Sequence, residues 1–351
     1  MTTNQTFYES NFDHVNEVQP AFVSKTVQID SEGDVIVNKI LYPRDIVLSQ
    51  GTVINNTAQR LIGQNMLNVP VINITLQNNK IIGATFTEFD SLGSKVYPKV
   101  KYVADLSVPL TNEADLYQVD GAGKFVYFQP KEHMTFEATY SNLLESKPDE
   151  NITASFVWGY AHRTLVTAHA VNAQANEIAF SSFEDANHWG NWSFTTGNYT
   201  LDTTETHTGK QSFLSQNNTT SLQNANPLPQ QDYKLSFWKK GPGTVTVTGA
   251  DTVVLLKTVL GWSLYEATLL NKNLASITIP NGVRIDDLRL HPADAQMSTF
   301  THRPLVGITT KTDAKHQAIY YEYDGFNRLK YLRDFEGNIL KRYTYQYKNK
   351  Q

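Results

Sequence analysis

Residues 320–340 read YYEYDGFNRLKYLRDFEGNIL and contain two copies of one pattern. Each copy has an aspartate, two further residues, a glycine or asparagine, a polar residue and then an apolar one. The copies begin at Asp324 and Asp334. An aspartate at this place accepts hydrogen bonds from backbone amides, and glycine or asparagine adopts the left-handed conformation that a tight turn needs. The pattern therefore predicts antiparallel strands joined by short turns.

Looser copies of the same pattern begin at Asp30, Asp90 and Asp120. Between the turns, apolar and polar residues alternate, which indicates strands with one face on a core. Residues 72–76 and 82–86 flank Asn78-Asn79 and predict a hairpin, because asparagine tolerates the positive φ of a two-residue turn. We therefore predict an all-β protein.

One segment has the spacing of a helix. The repeating positions Ala58, Leu61, Ile62, Asn65 and Met66 predict one short helix near residues 57–66, with Asn56 as its N-cap.

The composition excludes several classes of protein. The 351 residues are 40% apolar and 18% charged, which is typical of a folded chain of two or three domains. The net charge is −4 without a basic block, so we expect no nucleic-acid partner. No apolar run is long enough to predict a membrane span. The absence of cysteine excludes disulfides, thiolate metal sites and cysteine nucleophiles.

The composition also changes along the chain. Residues 180–292 hold four of the five tryptophans and are rich in Asn, Thr and Ser, with short strand-like runs. This composition, together with the short strand-like runs, predicts a β-sandwich. We therefore predict three regions: a β-sheet region over residues 1–175, a sandwich over 176–295, and hairpins over 296–351.

Residues 320–340 resemble the YD repeats of RHS-type proteins, with Asn327 before Arg328-Leu329 where the repeats usually have glycine. Residues 304–313 resemble the segment that precedes such repeats, and residues 25–175 are similar more loosely. In that family the repeats form antiparallel sheets that wrap into shells. The resemblance implies a bacterial cell-surface or secreted protein whose partner is further YD-repeat polypeptide. Residues 1–16 do not have the pattern of a signal peptide, so we expect this chain to be part of a longer secreted one.

The tryptophan-rich segment resembles carbohydrate-binding modules with a galactose-binding-like jelly-roll fold. The similar residues include Phe183-Glu184, Trp192, the run from Thr208 to Ser212, the run from Tyr233 to Trp238, Trp262 and the run from Ile285 to Leu288. In that family such positions hold a structural calcium ion, which here implies Glu184, the carbonyl of Lys210, and Asp287 as ligands. The alternative is that Glu184 and Asp287 are solvated acids at turns.

Sugar binding requires exposed aromatic rings beside polar groups. The candidates for a carbohydrate or polysaccharide ligand are His188, Trp189, Trp192, Trp238 and Trp262. The competing interpretation places these tryptophans in the sandwich core. Trp189 lies beside Gly190 in a predicted loop and is the better candidate for an exposed ring.

No catalytic motif stands out. The histidines lack the spacing of a zinc site, and the sequence has no Gly-x-Ser-x-Gly nucleophile turn. We therefore expect a non-catalytic scaffold with a glycan-binding sandwich. Two alternatives are a purely structural part of a larger RHS shell and, with less support, a glycan-active enzyme, which would need two opposed carboxylates.

Overall fold

The computed structural model describes residues 3–9, 22–46, 52–148 and 152–346. The protein is all-β, with 54% strand, one short helix and three antiparallel sheets, which confirms the predicted fold class. The chain divides into two compact units. Unit 1 comprises residues 1–141 and 146–151, and unit 2 comprises residues 142–145 and 152–351.

Unit 1 is a series of antiparallel strands with one helix. Its elements are β1 (Thr3–Glu9), β2 (Phe22–Ile29), β3 (Val35–Leu41), α1 (Val53–Gly63), β4 (Ile72–Gln77), β5 (Lys80–Leu92), β6 (Lys95–Ala104) and β7 (Phe128–Phe136), with 3-10 turns at Pro43–Asp45 and Glu113–Tyr117. The strands pair in chain order. The predicted hairpin is present, since Asn78 and Asn79 have φ values of 50° and 65° between β4 and β5.

The helix both begins and ends earlier than the sequence spacing predicts, so Asn65 and Met66 lie beyond its end. Its N-cap is Thr52, whose hydroxyl accepts the Asn55 N–H at 3.1 Å, and not Asn56. The apolar face also starts earlier, because Ile54 is buried together with Leu61 against β4 and β5. Buried apolar side chains from α1, β4 and β5 pack together in the core of unit 1.

Strand β8 (Leu143–Pro148) contains residues of both units. The remaining elements of unit 2 are β9 (Ala154–Gly159), β10 (Leu165–Val171), β11 (Ala179–Ser181), β12 (Trp192–Thr196), β13 (Tyr199–Asp202), β14 (Ser212–Ser215), β15 (Thr220–Asn224), β16 (Gln231–Lys240), β17 (Thr246–Thr248), β18 (Thr252–Val259), β19 (Trp262–Lys272), β20 (Ser276–Ile279), β21 (Arg284–Pro292), β22 (Gln296–Arg303), β23 (Gly307–Thr312), β24 (Ala318–Tyr323), β25 (Leu329–Arg333) and β26 (Ile339–Arg342), with 3-10 turns at Ala161–Arg163 and Ala175–Glu177.

Two sheets of unit 2 form a β-sandwich. One has the order β13-β14-β21-β16-β19-β18, with β11 also on β21, and the other has the order β12-β15-β20-β17. Apolar side chains from both sheets share one buried core, which includes Phe213, Tyr233, Leu235, Leu222 and Ile277. The sandwich lies between β10 and β22 in the chain, and these two strands pair with each other.

Strands β22 to β26, here called the C-terminal strands, pair antiparallel in chain order. Their turns follow the aspartate pattern: Asp324 Oδ1 accepts the N–H groups of Phe326 and Arg328, and Asn327 has a φ of 60°. The same turn occurs at Asp30, Asp120 and Asp334. Asp90 departs from the pattern, because it lies within β5 and pairs with Tyr97.

Within the described residues, no helix is long and apolar enough to cross a membrane.

Candidate functional site

A cluster of buried and half-buried polar and aromatic side chains joins the sandwich to the C-terminal strands. We call it the docking interface. Its sandwich members are His207, Thr208, Trp238, Asp286, Asp287 and Arg289, and its members from the following strands are Thr299, Asp313, Tyr320 and Phe335. All of them belong to unit 2.

A bulge in β21 places two adjacent carboxylates against one loop. Neighbouring residues of a regular strand point to opposite faces. Here the register between β16 and β21 shifts, and Asp287 has a φ of 49°. As a result, Asp286 Oδ2 accepts the N–H groups of His207 and Thr208 at 2.9 and 3.1 Å. Asp287 accepts from His207 Nδ1 at 2.8 Å and from the Thr208 hydroxyl at 2.7 Å.

The two carboxyl groups differ in acidity. Burial raises the pKa of Asp286 well above its usual range, and the charge of Asp287 adds to this. Burial would also raise the pKa of Asp287, but the hydrogen bond and charge of His207, together with Arg289, lower it below its ordinary value. Asp287 is therefore the more acidic member of the pair.

The His207 ring lies between aromatic side chains. It stacks on Trp238 with a centroid distance of 3.8 Å and an interplanar angle of 21°, and the Phe335 ring lies 4.7 Å away. The Tyr320 hydroxyl donates to the His207 carbonyl at 2.8 Å. Burial lowers the pKa of His207, against the opposing effect of Asp287. A neutral ring with its Nδ1 proton directed at Asp287 fits this packing.

Arg289 extends the docking interface to β22 and to the turn after β23. Its guanidinium donates to the Asp313 carbonyl at 3.0 Å and to the Thr299 hydroxyl at 2.8 Å. Burial lowers the pKa of Arg289 to about 10, while the charges of Asp287 and Asp313 oppose this shift. The guanidinium is thus a buried cation at neutral pH, with partners in both parts of unit 2.

Three of the predicted sugar-binding tryptophans are buried. Trp238 and Trp262 pack with Leu264 in one cluster, and Trp192 lies in the sandwich core with its indole N–H donating to the Leu288 carbonyl. A buried ring presents no open face on which a sugar could stack.

Trp189 and His188 lie in the loop that follows β11, and both are half-buried. The Trp189 ring meets Tyr199 edge-on at 4.9 Å, and its indole N–H donates to the Ala186 carbonyl. His188 borders a small cavity that is partly open to solvent, which Tyr160, Phe180, Ser182, Glu184 and Asp185 also line. This is the part of the predicted sugar site that faces solvent.

The predicted calcium ligands Glu184 and Asp287 are occupied by hydrogen-bond donors. Glu184 Oε1 accepts the N–H groups of Lys210 and Gln211 at 2.7 and 2.8 Å, so Lys210 meets it through an amide donor and not through its carbonyl. Both oxygens of Asp287 accept from His207 and Thr208. Ca2+ requires six to eight oxygen ligands, and this donor-rich arrangement does not fit it. In the described part of the chain, no three His, Cys, Asp or Glu side chains are placed to hold a metal.

Burial raises the pKa of Glu184 to about 7, and the two backbone amides oppose the shift. The loops before β12 and β14 have little free space. Gly209 packs against the carboxylate, and a Cβ atom on Gly190 would lie 1.7 Å from the Phe180 carbonyl oxygen.

Sequence reasoning missed His207, Arg289, Tyr320 and Phe335 as a connected set. One signal for it is present: residues 285–290 read IDDLRL, with three charged residues inside an apolar strand. Charged residues in a buried strand need partners, but the sequence does not show which ones.

No protein-family model matches the sequence, and a search of the curated proteins finds no match either.

Proposed function

We propose that this chain is a non-catalytic structural protein in which the β-sandwich is a fixed part of a YD-type strand scaffold. The docking interface is the observation that carries the proposal. A binding module on a flexible tether would keep its aromatic rings exposed and its contacts with the rest of the chain few. Here the Trp238 and His207 rings are used in packing against Phe335.

The chemistry of the docking interface supports a permanent attachment. Asp287 and Arg289 are almost completely buried. Removing one partner of a buried charged group costs about 3–5 kcal/mol, because the other charge is left without compensation. Separating the sandwich from the C-terminal strands would remove the Asp313 and Thr299 acceptors from Arg289. The two parts are therefore suited to fold and act as one body.

A larger assembly follows from the same proposal. The chain would contribute its strands to a longer YD-repeat polypeptide at the cell surface or outside the cell. Strand β26 supports this, because among the described strands it pairs only with β25 and all of its residues are exposed. An exposed edge of this kind can pair with a further strand.

The test compares the full chain with its Phe335→Ala variant during urea unfolding. Tryptophan fluorescence reports on the sandwich, which holds four of the five tryptophans. Hydrogen exchange of β24 amides reports on the C-terminal strands. We expect coincident transitions in the parent, and in the variant a loss of about 2 kcal/mol with earlier unfolding of β24. Separate transitions in the parent would show a tethered module and would contradict the proposal.

Glycan binding at the loop after β11 is a second candidate function. The observation in its favour is the small polar cavity that half-buried His188 lines. Affinity gel electrophoresis on a panel of neutral and acidic polysaccharides tests it. Retention of the parent, lost in His188→Ala and kept in the exposed control His133→Ala, would support glycan binding. Equal mobility of all three proteins on every polysaccharide would remove it.

A further inference from the structure

One turn of the C-terminal strands is held against the larger sheet of the sandwich. It joins β23 to β24 over residues 313–317, and we call it the β23–β24 turn. The Asp313 carbonyl accepts from the Arg289 guanidinium of β21 at 3.0 Å. The His316 carbonyl accepts from the Lys257 ammonium of β18 at 2.9 Å. Two cations of the sandwich therefore hold the backbone of this turn.

The side chains below the turn form a row across the sheet. Ser236 of β16 lies opposite Glu266 of β19 on one side and opposite Arg289 of β21 on the other. Opposed residues of antiparallel strands share a face, and this face is turned away from the sandwich core, since the preceding Leu235 is in that core. His316 Nε2 lies 3.9 Å from Glu266 Oε2. The turn thus reaches from Glu266 to Arg289, and Ser236 between them is buried.

A second histidine of this region, His291, lies beside cations on its own strand and on the neighbouring one. It follows Arg289 by two positions on β21, so both side chains leave the strand on the same face, and it lies opposite Lys234 of β16. Its Nδ1 is 2.8 Å from the Pro292 carbonyl oxygen. Burial lowers the pKa of His291 to about 4; the Pro292 carbonyl opposes this shift, and the charges of Arg289 and His316 add to it. The His291 ring is therefore neutral at neutral pH.

Glu266 is a carboxylate that faces both histidines, and it already has a cationic partner. Its Oε1 lies 3.1 Å from Lys234 Nζ. Burial lowers the pKa of His316, and the charges of Arg289 and Lys257 act in the same direction, while Glu266 opposes them. One carboxylate that is shared with a lysine does not balance two further positive charges in a buried contact. The closed turn therefore requires neutral imidazoles.

We propose that acid opens the docking interface at the β23–β24 turn, because protonation of His291 and His316 adds two positive charges beside Arg289 and Lys257. In the open state both imidazoles meet water and bind protons near their ordinary pKa of 6.5. As the pH falls below 6.5, the open state takes up protons first, and the closed state loses stability down to about pH 4. The sandwich core lies on the opposite face of the sheet, so the sandwich stays folded while the turn opens. The inference rests on the docking interface being closed at neutral pH, as proposed above.

The absence of cysteine allows a direct experiment, since Ser236→Cys places the single thiol of the chain below the turn. The Ser236 hydroxyl has no hydrogen-bond partner in the described part of the chain, so the substitution removes no such bond. Labelling with a dipyridyl disulfide, which also reacts with thiols in acid, is measured at about pH 7 and about pH 5. Each rate is divided by that of Leu274→Cys, an exposed thiol after β19, which cancels the effect of pH on the thiol itself. We expect the relative rate to rise about tenfold at the lower pH, and to stay constant when His291→Gln and His316→Gln are added together.

Two controls separate opening of the turn from other effects of acid. The thiol of Ala267→Cys lies in the sandwich core and should stay protected at both pH values. Adding the exposed His133→Gln to Ser236→Cys should leave the pH dependence of labelling unchanged.

Acrylamide quenching of the chain without introduced thiols gives an independent measurement. Trp238 is buried and stacks on Phe335, so opening should increase quenching at about pH 5, and the pair His291→Gln and His316→Gln should prevent this increase. Equal protection of the Ser236→Cys thiol at both pH values would overturn this inference and leave the structural proposal standing. So would parallel exposure of the Ala267→Cys thiol in acid, which would mean that the whole sandwich unfolds. Labelling of Ser236→Cys as fast as Leu274→Cys already at neutral pH would contradict the docking interface itself.

Discussion

Glu184 shows how a residue selected for one role can have another. The resemblance to carbohydrate-binding modules implied a calcium ligand at this position, and the carboxylate does meet the chain at Lys210. It meets two amide donors there, so the backbone supplies the positive partial charge that a cation would otherwise provide. The carboxylate thereby fastens the loop before β12 to the loop before β14.

The acidity of Glu184 gives a prediction about pH. Its folded-state pKa of about 7 is above its ordinary value of 4.5. The unfolded state therefore loses its proton first as the pH rises, and this group's contribution to stability falls between pH 4.5 and 7. Glutamine keeps an acceptor oxygen but does not titrate. We expect Glu184→Gln to gain stability over the parent as pH rises through this window, by at most about 3 kcal/mol.

Thermal unfolding of both proteins at a series of pH values measures this difference. The exposed control Glu336→Gln should follow the parent at every pH. A constant difference between Glu184→Gln and the parent across the window would mean that the Glu184 carboxyl titrates normally.

For single residues, sequence patterns predicted which residues form turns better than they predicted which residues are buried against one another. Asp324 and Asn327 were identified because a turn needs a particular side chain at each place. The turn at Asp313 was missed, since its left-handed residue is His316, with a φ of 60°, and not glycine or asparagine. Burial of Trp192, Trp238 and Trp262 depends on what packs over them, which a local pattern does not contain.

At the scale of elements, the loop between β11 and β12 depends on a glycine. Gly190 has a φ of 55°, and its carbonyl accepts the Phe180 N–H at 2.8 Å. The loop therefore approaches β11 more closely than any side chain would permit. Gly190 and His188 of this loop both line the cavity.

Gly190→Ala should destabilise the protein by about 3 kcal/mol, because the added methyl group meets the Phe180 carbonyl and the backbone conformation is unfavourable for alanine. Gly325→Ala is the matched control, since a Cβ atom there has no neighbour within 4 Å and its φ is outside the left-handed region. Urea unfolding compares the two variants. Equal stabilities would show that the loop can move away from β11.

The elements themselves were largely predictable. Period-two alternation and the asparagine turn identified the hairpin of β4 and β5, and helical spacing identified α1. The start of α1 was wrong by four residues, because its N-cap is Thr52 and the buried Ile54 precedes the repeating positions used for the prediction. The bulge in β21 could not be predicted, since it depends on the pairing partner β16.

At the scale of the whole molecule, unit 2 combines a sandwich with a strand series through contacts far apart in sequence. Tyr320 and His207 are separated by 113 residues, and Arg289 reaches both Thr299 and Asp313. The alternation of each strand predicted a sandwich and hairpins as separate parts. The docking interface between them depends on tertiary packing, so the structure was needed to find it.

Native-state hydrogen exchange on the unmodified chain, at increasing urea, tests most directly whether the sandwich and the C-terminal strands are one structural body. The amides of His207 and Thr208 donate to the buried Asp286, and those of β24 lie on the other side of the docking interface. One body predicts that both sets converge on a single opening free energy with the same urea dependence. Independent opening of β24 at low urea, while His207 and Thr208 stay protected, would contradict the account.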